Sequence, residues 1–187
     1  MSLILASSSP RRLALLKQMG FTPDQVIPAD INEDPHISEK PRPYVTRMAR
    51  EKALALPATD AFILAADTIV CGAHRILPKA EDAATARDCL RWMSGRRHQA
   101  ITAVAIAHDG RILRQRLVAT RIRFRQLSAQ DIEAYIASGE WEGKAGGYGI
   151  QGCAEAFITE MQGSYSAVVG LPLYETQQML RSVGLTV

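Results

Sequence analysis

The nine residues Phe62-Ile-Leu-Ala-Ala-Asp-Thr-Ile-Val70 are apolar except for Asp67 and Thr68. A compact run of this length, rich in aliphatic side chains, reads as a strand at the centre of a sheet. A carboxylate inside such a strand costs on the order of several kcal/mol unless it is paired or bound to a metal. Asp67 therefore either closes a buried salt bridge with an arginine or belongs to a functional site.

The flanking patterns supply the other elements. Leu3 to Ala6 reads as a short buried strand leading straight into a helix, with Ser9 as N-cap, Pro10 in the first turn and Gly20 as the stop. Leu13, Leu16 and Met19 or Gly20 would face the sheet. A strand is expected over 25–29, then an exposed loop, then a helix over 43–56. The apolar stripe of that helix is Val45, Met48, Ala49, Ala53 and Leu56, which leaves Lys52 at its edge. Asp82 caps a helix that runs through Met93 and ends at Gly95. Strands over 98–107 and 111–125 are joined by Asp109-Gly110, a hairpin signal, and so run antiparallel. Ser128 opens a helix with Ile132, Tyr135 and Ile136 inward and Gly139 as its stop. Six of the 13 glycines fall between Gly139 and Gly152, too many for a helix or strand interior, so a loop of functional character is expected there. A strand over 154–160 and a helix over 172–183, ended by Gly184, close the chain. No repeat or linker divides the 187 residues, and one domain over 1–187 is expected.

Hydrophobic residues make up 47% and charged ones 22%, which excludes a disordered or coiled-coil chain. The net charge of +3 is too mild to argue for a nucleic-acid coat or a membrane-surface protein and leaves acidic small molecules open as ligands. No apolar run approaches the roughly 20 residues of a membrane span, and the early arginines follow the first apolar stretch, the reverse of a secretory signal. Cys71, Cys89 and Cys153 form no Cys-x-x-Cys pattern, so neither a disulfide framework nor a zinc knuckle is indicated, and a reducing cytoplasm fits. His36, His74, His98 and His108 share no ligand spacing and read as surface or loop histidines.

Three patterns mislead. Gly147-Tyr-Gly149-Ile-Gln-Gly152 matches G-x-G-x-x-G but lacks the strand before it and the helix after it that a dinucleotide site needs. Gly143-Lys144 is followed by Ala rather than Ser or Thr, so it is not a phosphate-binding P-loop. Arg121, Arg123 and Arg125 share one strand face, opposite Thr120, Ile122 and Phe124. Without interleaved aromatics that face reads as a solvated one rather than an RNA stripe.

Ser7-Ser8-Ser9-Pro10-Arg11-Arg12 stands where a strand end meets a helix N-terminus, so free N–H groups, hydroxyls and two guanidinium groups can converge on an anion. The plain alternative is a Ser-Pro helix start with exposed arginines. Glu33 offers a second carboxylate from a loop. Only five of the 22 cationic side chains are lysines, yet Lys52, Lys79 and Lys144 each fall beside a glycine-rich, acidic or pocket-edge segment, where point charges suit phosphate.

Six ordered blocks resemble the Maf family of nucleoside triphosphate pyrophosphatases, also called septum formation inhibitor proteins. They are Leu3-Ile-Leu-Ala-Ser-Ser-Ser-Pro-Arg-Arg12, Ala66-Asp67-Thr68, Leu77-Pro-Lys79, Ser94-Gly-Arg-Arg-His98, Lys144-Ala-Gly-Gly-Tyr-Gly-Ile-Gln-Gly152, and Gly163-Ser-Tyr-Ser166 with Val169-Gly-Leu-Pro172. The resemblance implies an α/β fold of the Maf and inosine-triphosphate-pyrophosphatase kind, an elongated mixed β-sheet with flanking helices around a central cleft. It also implies a homodimer, a divalent metal cation such as Mg²⁺, and cleavage of a nucleoside triphosphate to monophosphate and pyrophosphate. Gly-Tyr-Gly-Ile-Gln is similar to the branch acting on dTTP and UTP rather than the one acting on 7-methyl-GTP. The chain departs from the family pattern at Pro78-Lys79-Ala80, where Gly-Lys-Pro is usual, and at Ser166-Ala167, where Ser-Asn is usual.

On this basis the expected catalytic residues are Asp67, Glu33, Lys52 and Lys79. Asp67 and Glu33 would hold or orient the metal and the attacking water, and sequence does not separate a metal-ligand role for Asp67 from that of a general base. Ser8, Arg11 and Arg12 would bind the phosphates. Thr68 and Gln151 would read the base, because a glutamine amide matches the N3–H and carbonyl edge of uracil or thymine. The methyl of thymine would rest on the Gly146-Gly147 and Gly149 backbone. Lys144 is expected outside the clamp. The alternative from another class is a non-catalytic nucleotide- or RNA-binding module or cell-division partner using the arginine face.

Overall fold

The computed structural model describes residues 1–57, 60–73 and 75–186; His74, read above as a surface or loop histidine, lies outside them. In chain order the elements are β1 (Leu3–Leu5), α1 (Pro10–Gln18), β2 (Gln25–Val26), α2 (Pro41–Leu54), β3 (Phe62–Gly72), β4 (Arg75–Leu77), β5 (Lys79–Ala80), α3 (Ala83–Met93), β6 (Arg97–His108) and β7 (Arg111–Phe124). There follow α4 (Ala129–Ala137), β8 (Lys144–Ala145), a 3₁₀ helix (Cys153–Phe157), β9 (Ile158–Gln162), α5 (Tyr165–Val169) and α6 (Leu173–Ser182).

The main sheet runs β2-β1-β3-β6-β7-β9, with β4 also on β3, while β5 and β8 form a separate pair. β1 lies parallel to both β2 and β3, and the remaining pairs are antiparallel, so the sheet is mixed. Asp109 and Gly110 both take positive φ, 46° and 67°, as a two-residue hairpin of the kind that follows strand twist requires. Side chains alternate across β3. Leu64, Ala66 and Val70 enter the core covered by α1, α3 and α6, and Ile63, Ala65 and Ile69 enter the core covered by α2. Asp67 consequently points to the α2 face and Thr68 to the other.

One edge of β3 is interrupted. β1 pairs with it only from Phe62 to Leu64, and β4 begins to pair at Val70. Ala65 to Ile69 thus have β6 on one side and no strand on the other among the described residues. The break coincides with the end of β1 and the start of α1, the crevice at strand C-termini where α/β sheets take ligands. It brings the paired positions Asp67 and Thr68, with opposite faces, to one opening.

Several boundaries differ from the sequence reading. The second helix starts two residues earlier, at Pro41, and ends at Leu54, so Leu56 falls outside it. The strand expected over 25–29 shrinks to two residues. The strand expected over 154–160 is a 3₁₀ turn through Phe157 followed by β9, because the side chains of Ala154 and Phe157, three apart, must both enter the core. α5 has no counterpart in that reading. No helix among the described residues is long and apolar enough to cross a membrane.

Candidate active site

Lys52 lies on the stripe of α2 itself, at the seventh position after Val45, and is 9% exposed rather than at the stripe's edge. Its chain runs toward β3, where Nζ lies 2.7 Å from Asp67 Oδ1 and 2.7 Å from Glu33 Oε1. The buried acid in the central strand is thus answered by a lysine, not an arginine. Asp67 is 8% exposed, and its second oxygen accepts no hydrogen bond among the described residues. The Glu33 loop is tied down by Tyr44, whose hydroxyl donates to the Glu33 carbonyl at 2.7 Å. Burial, with the nearby charges of Asp67 and Glu33, pushes that phenol up to about 12.

On the other face, α1 starts without a side-chain cap at Ser9. Ser7 Oγ instead accepts from the Ser9 N–H at 3.1 Å, and Pro10 has no N–H. The N–H groups of Arg11 and Arg12 have no protein acceptor among the described residues and stand at the positive end of the helix. Arg12 is spent on the scaffold. Its Nε donates to the Gly170 carbonyl at 2.9 Å, and its terminal nitrogens reach Ser7 Oγ at 3.3 Å and Thr68 Oγ1 at 3.4 Å. Burial holds the Arg12 guanidinium below its usual range, with Asp67 pulling the other way and Arg11 adding to the lowering.

The direction of the next bonds follows from proton counting. Thr102 Oγ1 donates its one hydrogen to the Ala167 carbonyl at 2.6 Å, so in the 2.9 Å contact between the two threonines Thr68 is the donor. Thr68 therefore has no hydrogen left for a nucleobase and accepts from Arg12. The sequence reading placed Thr68 at the base; in the structure it braces Arg12 at the start of α1 and keeps only acceptor capacity. Ala167 is buried and supplies only its carbonyl here.

The third wall is the glycine-rich segment. β8 pairs with β5 so that Lys79 opposes Ala145 and Lys144 opposes Ala80. Lys79 is exposed to the cleft, and Lys144, expected elsewhere, lines it too, its ammonium donating to the Glu140 carbonyl. Burial and the charge of Arg11 lower the Lys144 ammonium below its ordinary value. Gly146 and Gly147 turn inward, where an added Cβ would meet Val70 at 2.9 Å and Ala86 at 3.0 Å. They are not a floor for a base; only Gly149 of the three lines the cleft. A turn closed by the Gly152 N–H on the Gly149 carbonyl then projects Gln151, whose amide makes no hydrogen bond among the described residues.

All nine expected site residues, Ser8, Arg11, Arg12, Glu33, Lys52, Asp67, Thr68, Lys79 and Gln151, line one cleft of about 840 Å³, the size of a nucleotide pocket. Arg11, Arg12, Lys52, Lys79 and Lys144 face Glu33, Asp67 and Glu140 there. Against a triphosphate of about four negative charges this surplus of two leaves room for a dication, and two carboxylates plus phosphate oxygens are the donor set Mg²⁺ prefers. No group of three or more His, Cys, Asp or Glu that could hold a metal by itself occurs among the described residues. Sequence reasoning missed Thr102, a lone polar residue in an apolar strand like Asp67, and His98, read as a surface or loop histidine but 2% exposed. The arginine face lies elsewhere: Arg123 and Arg97 share Glu160, and Arg125 grips Asp131.

Fold and cleft define an α/β protein whose cleft sets five cationic side chains around a pair of central carboxylates. The chain belongs to the Maf family: the family model described as Maf-like protein matches residues 2–183. It is 54% identical over 187 residues to the dTTP/UTP pyrophosphatase of Novosphingobium aromaticivorans, covering 99% of this chain and 93% of the relative. The dTTP/UTP pyrophosphatase of Caulobacter vibrioides is 55% identical over 186 residues, covering 98% and 96%. Among solved structures, a HAM1 protein from Coxiella burnetii aligns at TM-score 0.46 and 17% identity over 66% of this chain and 73% of that one.

Proposed function

We propose that this chain is a nucleoside triphosphate pyrophosphatase that hydrolyses dTTP and UTP, acting as one cytoplasmic domain over 1–187 and as a homodimer. The observation that carries the reading is the Lys52 ammonium held between Asp67 and Glu33 at the break in β3, next to the open N-terminus of α1. Family membership and the names of the relatives support it.

In the proposed reaction a water oxygen bonds to the α-phosphorus while the bond from that phosphorus to the bridging oxygen breaks, and pyrophosphate leaves. Asp67, through the oxygen not engaged by Lys52, takes the water proton. Lys52 keeps the two carboxylates aligned and shields their charge from the phosphates. Arg11, Ser8 and the α1 N–H groups bind the phosphate chain, with Arg12 bracing them. Lys79 and Lys144 meet charge that grows on the leaving group. Asp67 and Glu33 would hold a divalent cation such as Mg²⁺, which when bound neutralises phosphate oxygens and acidifies water. Gln151 reads the base, its amide matching the N3–H and carbonyl of uracil or thymine.

Pyrophosphate release from dTTP, UTP, CTP and 7-methyl-GTP, each with and without Mg²⁺, tests the reading. Release from dTTP and UTP well above the other two, dependent on Mg²⁺, is expected. Release of inorganic phosphate in place of pyrophosphate, or no turnover of any of the four, would sink it.

A further inference from the structure

His98, the second residue of β6, lies deep in the core, with Nε2 2.9 Å from Tyr148 Oη and its ring edge-on to Phe124 and Tyr148 at 4.8 and 5.5 Å. Its other nitrogen, Nδ1, is buried without a partner. Neither tautomer satisfies the pair among the described residues. If Tyr148 donates to Nε2, the Nδ1–H has no acceptor, and if Nε2–H donates to Oη, the phenol hydrogen has none. Apolar side chains of the same shape would be at least as stable in this place, so packing does not account for the two residues.

Tyr148 begins the stretch that carries the proposed base reader. Tyr148, Gly149, Ile150 and Gln151 all line the cleft, and the side chains of Tyr148 and Ile150 are largely buried, at 5% and 4%. The Gly149 N–H donates to Tyr135 Oη at 3.1 Å. Just upstream, Gly146 and Gly147 sit at φ of 67° and 66°, backbone that only directional bonds or tight packing can hold in place. Ile150 is held by packing, whereas the hydrogen bond to His98 also fixes where Tyr148 Oη sits, and with it the direction in which the side chain leaves the turn.

We propose that His98 and Tyr148 are positioning residues: their buried bond fixes the Tyr148–Gln151 turn before substrate arrives, and base selectivity depends on it. The proposal rests on the reading of Gln151 as the group that contacts the base. Preorganisation of this kind acts on binding, since a turn already in place loses less freedom when the nucleotide docks.

The test compares wild type with Tyr148→Phe, His98→Leu, the double variant, and His98→Gln, which keeps a partner for the phenol. For each, kcat and KM on dTTP, UTP and CTP are measured along with the melting temperature. The kcat/KM ratio of dTTP to CTP is expected to fall at least about threefold in Tyr148→Phe and in His98→Leu, through KM, with His98→Gln recovering most of it. The double variant should lose no more selectivity than either single one, because both break the same bond, and should melt at or above wild type. Unchanged ratios in the two single variants, or an equal loss on all three substrates, would overturn the proposal whatever happens to the melting temperature. A wild type without preference for dTTP and UTP would instead sink the functional reading on which it rests.

Discussion

Asp67 and Glu33 share one ammonium, so neither carboxylate can be altered without changing the charge felt by the other. Asp67→Asn preserves shape and removes the proposed proton acceptor; kcat on dTTP is expected to fall by at least about a hundredfold, measured as pyrophosphate release at saturating substrate. Glu33→Gln should act in the same direction, and the double variant should be far less damaging than the product of the two, since both acids serve one centre. Arg12 makes a different prediction. Its planar fork reaches Gly170, Ser7 and Thr68 at once, a set no lysine can copy. Arg12→Lys should therefore lower the melting temperature and raise KM together, whereas Arg11→Lys, with no such bonds to lose among the described residues, should mainly raise KM.

At the scale of elements, the glycine-rich wall is shaped by where side chains cannot fit. Gly146→Ala would combine a φ of 67° with a Cβ 2.9 Å from Val70, and is expected to cost about 2 to 4 kcal/mol of stability in a denaturant titration. His98 gives this wall a pH dependence. Burial pushes its imidazole down to about 4, below the unfolded value of about 6.5, so the unfolded chain binds the proton more readily between these limits. Stability from this group is complete above about pH 6.5 and declines as pH falls, by about 2 kcal/mol on reaching about pH 5. Glu39, held near 2 by its hydrogen bonds to Arg47, gives up its share as pH falls from its ordinary 4.5 toward 2, so it does not contribute to the decline between pH 7 and 5. Melting curves from pH 7 to 5 should show the decline in wild type and a much flatter profile in His98→Leu. Elements marked by local chemistry were legible in the sequence. Asp82 accepts from Thr85 N–H, Ser128 and Asp131 form a reciprocal cap, and the Asp109-Gly110 hairpin stands where its residues put it. What could not be read was set by distant partners. The 3₁₀ turn at Cys153–Phe157 answers to a core built from other elements, and the break in β3 exists only because β1 stops and β4 starts opposite it. Likewise Asp67 was visible as an anomaly, while the lysine that answers it, the braced state of Thr68 and the inward turn of Gly146 and Gly147 depend on how strands pair.

Over the whole molecule, two groups of cationic side chains stand in contrast. Those at the cleft face a pair of central carboxylates; those at the far end of β6 and β7 are neutralised by Glu160 and Asp131. Arg121→Gln with Arg123→Gln should accordingly leave pyrophosphate release within about twofold of wild type, since exposed pairs of this kind contribute about 0 to 1 kcal/mol. A loss beyond tenfold would mean that the arginine face takes part in the reaction. The contact between Arg12 and Gly170 joins residues 158 apart, nearly the length of the chain. The α1 segment is therefore made long before its partner: until α5 and Gly170 have been synthesised and docked, the arginine at the head of α1 has no carbonyl to hold it. Contacts of such separation form late in folding, after more local pairings have shortened the loop between them. A nascent chain would carry α1 through the synthesis of the intervening residues without a finished cleft beside it, so the proposed nucleotide site would come into being only when the two distant segments have met.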